Sequence, residues 1–369
     1  MTGGGGMKND GKLAAIRGRI DAIDSELLRL LSERAACAQQ VAEVKQAAGE
    51  TVFYRPEREA QVLRQVAAAN PGPLPDEAVT HIFREIMSAC LALERPLTVA
   101  YLGPAGTFSQ DATHKHFGQS VASLPQATIE QVFREVDAGA ADYGVVPIEN
   151  STEGAVTHTL DMFLSTPLTI CGEVELAVHQ QLLSRTSGLS GIQKIYSHAQ
   201  SLAQCRRWLA THLPGVSCEA VSSNAEAARR AAAEAGAAAV AGESAGRLYD
   251  LSCLAANIED EPGNTTRFLV IGRHDTQPSG RDKTSLLLST GNRPGALASL
   301  LEPLRRHGLS MTRIESRPAR TGRWQYVFFI DIEGHVQDVP VQQVLAELRE
   351  VTALCKVLGA YPRATGQAA

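Results

Sequence analysis

The sequence predicts a multidomain protein with an all-α N-terminal segment, a two-lobed α/β middle and a small α+β module at the C-terminus. Three observations carry that expectation. The 369 residues exceed one ordinary core, since roughly 100–200 residues per domain allow two to three. The first hundred residues repeat apolar positions in steps of three and four, as a helix does. After Arg95-Pro96 strand-like runs alternate with Ala-rich helical ones, and beyond about Gly272 the order becomes β-α-β-β-α-β.

The composition excludes several classes. With 40 acidic against 35 basic side chains the net charge is −5, so the basic footprint of a nucleic-acid binder is missing. The seven cysteines form no CxxC pair and no His/Cys cluster, which argues against a zinc site and a disulfide framework and fits a reducing compartment. No apolar run reaches the ~18 residues of a membrane span, and the N-terminus has no signal-like core. The expected location is the cytoplasm, with no membrane or nucleic-acid partner.

Residues 1–11, with the Gly3–Gly6 run, are expected to be a disordered leader, with Met7 as an alternative start. A helical segment is expected over 12–95. From Lys12 to Ala48 there is no proline and Gly18 is the only glycine, which predicts one helix about 55 Å long. Such a helix outruns a compact monomer of this size, so a homodimer or higher oligomer is expected. A second helix is predicted from Glu57 to about Ala69. The proline-rich turn at 70–75 breaks it, and Asp76 is the expected cap of a third helix running to Glu94.

The charges on the first helix point to a ligand. Arg34 falls in the apolar seam, and Arg17 and Lys45 lie four heptads apart, just off it. Buried cations are costly unless paired. Either an anion sits among them or they pair with Glu26, Glu33 or Glu43. Arg58 and Glu59 after Arg55-Pro56, with Cys90 and Glu94 at i,i+4, complete a polar set. On these residues the segment resembles the all-helical chorismate mutase family. That resemblance implies a pocket of Arg17 (reaching the other subunit's site), Arg34, Lys45, Arg58, Glu59, Cys90 and Glu94. Arg34, Lys45 and Glu94 would be its catalytic groups. Cations would clamp the two carboxylates of chorismate, and no nucleophile or cofactor is required. The sequence departs from the family pattern at three positions. Arg55 stands where some members carry an acid, Cys90 where many carry serine and Glu94 where many carry glutamine. A glutamate donates a hydrogen bond only in its protonated form.

The middle region, 97–273, carries five clusters of small polar residues beside predicted strand ends: Gly103–Ser109, Val146–Gly154, Ser197–Gln204, Ser222–Ala225 and Asn264–Phe268. Each alone reads as cap or turn chemistry, and His198 alone as structural. Gly103–Gly106 lacks the spacing of a dinucleotide or P-loop motif. Together they resemble the prephenate dehydratase family, with Thr266-Arg267-Phe268 and Glu149-Asn150-Ser151 as the most specific marks. The resemblance implies a two-lobed, periplasmic-binding-protein-like α/β domain that converts prephenate to phenylpyruvate by decarboxylating dehydration. Thr266 would assist the departing hydroxide, backed by Glu149 or a water. Asn150, Ser151 and Gln200 would line the cleft, and Arg267 would bind carboxylate or brace the hinge between lobes.

The polar stretch 274–283 reads as a linker and 364–369 as a frayed tail. The β-α-β-β-α-β order of 284–363 is ferredoxin-like. Its motifs at Asn292, Gly295, Ala296 and Leu297, and at Glu315, Ser316, Arg317 and Pro318, resemble the ACT regulatory domain. That resemblance implies feedback by L-phenylalanine bound at Asn292, Gly295, Ala296, Leu297, Glu315 and Ser316. A chain with all three modules is expected to be a bifunctional enzyme of phenylalanine biosynthesis that runs two consecutive reactions, with no cofactor and no metal. The alternatives are the same architecture acting on arogenate, and a non-catalytic amino-acid sensor. A dehydrogenase partner for the mutase is disfavoured by the missing glycine fingerprint.

Overall fold

Without an interior proline, the first segment forms one unbroken helix, α1 (Gly6–Ala47), in the computed structural model, which describes residues 6–50, 52–291, 293–319 and 326–364. Residues 6–11 of the expected leader are therefore helical, and residues 1–5 lie outside the described part. At 1.5 Å per residue α1 is about 63 Å long. Leu13, Ile16, Ile20, Ile23 and Leu27 along it are each about half exposed, whereas Ala42 near its far end is buried. The helices α2 (Pro56–Ala69) and α3 (Asp76–Glu94) pack as an antiparallel pair, and α1 lies against α3. Asp76 is not the cap of α3. Pro75 holds that position, and Asp76 instead accepts from the Asn70 amide at 2.7 Å, tying the turn together.

The middle region folds as two sheets. The first lobe contains β1 (Thr98–Leu102), α4 (Phe108–Phe117), β2 (Ala122–Gln126), α5 (Ile129–Asp137), β3 (Tyr143–Asn150), β4 (Gly154–Ala155), α6 (Thr157–Phe163) and β5 (Thr169–Ala177). The second holds β6 (Gln181–Ser184), β7 (Lys194–His198), α7 (Ala199–Gln204), α8 (Arg206–His212), β8 (Ser217–Val221), α9 (Asn224–Ala233), β9 (Ala237–Ala241), α10 (Glu243–Leu248) and β10 (Ser252–Ala255). The chain then returns to the first lobe as β11 (Thr265–Gly272), antiparallel between β3 and β5. The strand orders are β2-β1-β3-β11-β5, with β4 on β3, and β10-β6-β9-β7-β8. The two crossings run side by side, with Val178 N–H donating to Asn264 C=O and Ile258 N–H to Gln180 C=O.

The C-terminal module is β12 (Asp282–Thr290), α11 (Ala296–Arg306), β13 (Met311–Pro318), β14 (Tyr326–Glu333), α12 (Val339–Val351) and β15 (Leu354–Pro362). Its antiparallel sheet has the order β13-β14-β12-β15, as expected for a ferredoxin-like unit. Alternation along the strands gives the sheet two apolar faces. Leu286, Leu288 and Ile330 pack under α11 and α12, while Leu287, Phe329 and Tyr361 share a core with Val146, Leu269 and Ile271 of the first lobe. The stretch 274–283 is consequently not a solvated linker. Thr276, Ser279, Asp282 and Lys283 are buried, and Lys283 Nζ lies 2.9 Å from Glu173 of β5. Thr276 donates to the Ala360 carbonyl of the C-terminal module and Lys283 to Glu173 of the first lobe, so the run is held from both sides.

Candidate functional site

In the helical domain the register of α1 against α3 places Lys45 Nζ 3.5 Å from Glu94 Oε2 in a largely enclosed spot, and Lys45 also donates to the Phe53 carbonyl at 3.1 Å. Glu94 therefore faces a cation rather than an apolar wall. Cys90, one turn earlier, is buried. Arg34 is partly buried, while Arg17 and Arg58 are exposed. Among the described residues none of these three arginines is in an ion pair. Glu26 and Glu33, the alternative partners, are both taken by Arg29.

Glu59 does not join this set. Its side chain turns to the junction with the first lobe, 3.4 Å from Arg84 of α3. Burial pushes its carboxyl up to about 7, against the opposing pull of Arg84 and the Tyr54 hydroxyl. His116 of α4 lies in the same junction. Burial, reinforced by the Arg84 charge, lowers its imidazole to about 3, and its Nε2 is 3.2 Å from the Tyr54 hydroxyl. A cavity of about 210 Å³, bounded by Phe53, Arg95, Asp142, Arg273 and His274, adjoins the Lys45 end of the helical domain.

The inter-lobe cleft is organised by one pair on adjacent strands. Asn150 of β3 sits opposite Thr266 of β11, and its Nδ2 donates to Thr266 Oγ1 at 2.8 Å. The amide cannot flip usefully, because Asn150 Oδ1 already accepts from Thr152 N–H, Thr152 O–H and Glu153 N–H. Its Nδ2 also reaches Asn264 Oδ1 at 2.8 Å. With Oγ1 acting as acceptor, the Thr266 hydroxyl proton is left to point elsewhere. The neighbouring Ser151 hydroxyl is spent on accepting from Thr265 N–H at 3.0 Å.

From the second lobe Gln204 reaches across, donating to Thr152 Oγ1 at 3.4 Å and accepting from Asn264 Nδ2 at 3.3 Å. Gln200, the expected residue, lies one turn earlier on α7, and only its backbone N–H is engaged, by His198 Nδ1. His198 is thus a helix cap. The glycine turn closes the far side of the cleft. Gly106 adopts φ +82, and a Cβ there would meet Ala245 Cα of α10 at 3.3 Å.

Two expected cleft residues face the other way. Side chains alternate across a strand, so Glu149 and Arg267, adjacent to Asn150 and Thr266, lie on the opposite face of the sheet. Glu149 Oε2 accepts from Arg313 of β13 at 2.9 Å and does not back Thr266. Arg267 neither lines the cleft nor braces the hinge. Its Nε, Nη1 and Nη2 donate to Glu173, Asp331 and the Tyr361 hydroxyl at 2.8, 2.6 and 3.0 Å.

In the C-terminal module the register Thr290↔Tyr326↔Pro318 brings the two motifs to one end of the sheet. Gly295 caps α11 at φ +80, a left-handed conformation suited to glycine, and a Cβ there would meet nothing within 4 Å. Ala296 begins the helix and Leu297 is exposed. Glu315 is partly buried and Ser316 exposed on β13, the edge strand. Asn292 lies outside the described residues.

Family models match the chain in the same order: chorismate mutase type II over residues 16–95, prephenate dehydratase over 99–276 and the ACT domain over 284–350. The chain is 57% identical over 363 residues to the bifunctional chorismate mutase/prephenate dehydratase of Stutzerimonas stutzeri, covering 97% of this chain and 100% of that one. The Pseudomonas aeruginosa enzyme of the same name is 56% identical with the same coverage. Among solved structures, prephenate dehydratase from Arthrobacter aurescens in complex with L-Phe superposes with a TM-score of 0.68 at 35% identity, covering 74% of this chain and 92% of that one. On this ground the chain belongs to the bifunctional chorismate mutase/prephenate dehydratase family.

Proposed function

We propose that the chain converts chorismate to prephenate in its helical domain and prephenate to phenylpyruvate in the inter-lobe cleft, under feedback by L-phenylalanine at the Gly295/Glu315 corner. The observation that carries the reading is the Asn150–Thr266 pair. In the dehydration the bond to the ring carboxylate breaks and releases CO2. Its electron pair enters the ring, and the C–O bond opposite breaks, so that hydroxide leaves and takes a proton as water. Thr266, held as a hydrogen-bond acceptor by Asn150, keeps its own O–H free to donate to that departing oxygen. A donor aimed at developing negative charge is the kind of group that lowers such a barrier.

The mutase step needs a folded conformer of a dianion and cations around it, not a nucleophile. Lys45, Arg34 and Arg58 supply the charge, and Glu94, 3.5 Å from Lys45, yields that cation to substrate. The half-exposed apolar stripe of α1 suits burial against α1 of a second copy, which would carry Arg17 into that copy's site. A homodimer is the smallest assembly that satisfies this geometry. A cytoplasmic location suits a chain in which all seven cysteines are free.

The test is to feed chorismate to the purified chain and follow prephenate and phenylpyruvate with and without phenylalanine. Prephenate should rise and then fall as phenylpyruvate accumulates, and phenylalanine should suppress the second phase. A chain that consumes neither compound overturns the reading. A kcat/KM higher for arogenate than for prephenate reassigns the second substrate.

A further inference from the structure

Four structural facts link the cleft to the C-terminal sheet. First, the Thr266–Asn150 and Arg267–Glu149 pairs are consecutive rungs of one ladder, facing opposite sides, and the register slips immediately after Arg267. A bulge at that point re-aims the side chains before it. Second, all three Arg267 guanidinium nitrogens have protein acceptors, and its side chain is only 11% exposed. Third, Asp331 sits between two arginines: its Oδ2 accepts from Arg267 and its Oδ1 from the Ser285 hydroxyl at 2.6 Å, and its register partner on β13 is Arg313. Fourth, Arg313 and Arg317 flank Glu315 on that edge strand and fasten it to the first lobe through Glu149 and Asp161.

The electrostatics agree. Burial alone would raise the Asp331 carboxyl, but Arg267, Ser285 and Arg313 hold it below its usual value. Burial likewise opposes the Arg267 charge, and Tyr361, Asp331 and Glu173 outweigh it. The cluster is thus a set of mutually dependent ions. Removing Arg267 leaves the buried Asp331 carboxylate without its ion-pair partner.

We propose that Arg267 is a positioning residue for the dehydration, clamping the strand that carries Thr266 to the C-terminal sheet, and that the Arg313–Asp331–Arg267 chain couples the Glu315 corner to Thr266. The proposal rests on the functional reading above and gives Arg267 a role other than binding substrate carboxylate. A ligand that shifts β13 moves the Arg313 charge relative to its register partner Asp331, the carboxylate on which Arg267 is anchored. The Thr266 hydroxyl is one residue away on the same strand. A difference in ligand affinity between the two positions of β13 is all that such coupling requires.

The experiment uses the full-length chain, with mutase activity as the internal measure of folding. Arg267→Lys keeps the charge but loses the three-way fork, so it should lower dehydratase kcat by about tenfold or more while KM changes by less than about threefold. A rise in KM with kcat unchanged would show that Arg267 binds substrate and would overturn the proposal. Arg313→Met should leave dehydratase kcat without effector within about twofold and still bind phenylalanine by calorimetry. Its half-inhibiting concentration should rise by about tenfold, within the usual range of allosteric coupling. Unchanged inhibition also overturns the proposal. If Arg267→Lys loses mutase activity as well, Tyr361→Phe removes a single acceptor, and it should weaken inhibition with KM intact. Inhibition identical to that of the unmodified chain refutes the coupling. An unmodified chain that is inactive on prephenate or does not bind phenylalanine fails the functional reading instead, so the two failures are distinguishable.

Discussion

The Asn150 side-chain amide stands 2.8 Å from the Thr266 hydroxyl across two antiparallel strands, and six hydrogen bonds at Asn150 settle which way that amide points. With one lone pair of its oxygen engaged by Asn150, the Thr266 hydroxyl keeps its own proton free to donate.

Thr266→Val keeps the shape and removes the donor. Dehydratase kcat should fall by about 10- to 1,000-fold, the range for losing one donor to developing charge, while mutase kcat stays unchanged. Near-normal turnover in a coupled prephenate assay would move the role to another group.

Glu94→Gln exchanges an acceptor for a neutral donor and releases Lys45 from its 3.5 Å partner. Mutase kcat/KM should rise by about threefold or more, the equivalent of one modest charge-assisted contact, with dehydratase activity unaltered. A fall in mutase kcat/KM would mean that the carboxylate itself is needed.

The junction between α2, α3 and α4 makes stability depend on pH through two groups of opposite sign. Glu59 is raised to about 7, so the folded state holds an extra proton above the unfolded value of ~4.3, and stability falls as pH rises through that window. His116 is lowered to about 3, so the folded state lacks a proton below ~6.5, and stability rises with pH over its window. Between pH ~4.5 and ~6.5 the two slopes oppose each other. Glu59→Gln should expose the His116 slope, up to about 1.4 kcal/mol per pH unit, in denaturant melts. Parallel pH profiles for the two proteins would reject the assignment.

Gly295→Val forces a β-branched residue into φ +80, a conformation costly for any side chain with a Cβ. Glu315→Ala removes the acid of the facing strand. Both should desensitise the dehydratase to phenylalanine. Inhibition curves that superpose on those of the unmodified chain in both variants would dismiss this corner as the effector site.

Gly106→Ala places a methyl group at φ +82, 3.3 Å from Ala245 Cα in the other lobe. Holding the lobes apart should raise KM for prephenate and spare the mutase. An unchanged KM would show that closure does not pass through this contact.

Much of the architecture was legible because periodicity is local. The uninterrupted apolar steps of α1 and the βαββαβ order of the last module needed no tertiary context. The short strands β2, β4, β6, β8 and β10 are not legible in the sequence. All but β6 lie at a sheet edge, where one side is unpaired, and β6 is only four residues long. Gln200 and Gln204 are i,i+4 on one short helix, so spacing alone could not choose between them, and Gln204 is the one that faces Thr152. The helix-capping role of His198 was readable from its place at a strand-to-helix junction.

The sequence by itself determined the three modules, the absence of a nucleotide-binding fingerprint and the residue types gathered at each site. All of these follow from local pattern and composition. Only the tertiary structure decided which face of β3 and β11 meets which neighbour. Alternation guarantees that Thr266 and Arg267 point apart, but whether the far side of the sheet meets solvent, the other lobe or another domain depends on long-range packing. Here the C-terminal sheet covers it. Two charged residues expected in the cleft, Glu149 and Arg267, therefore bind the regulatory module instead.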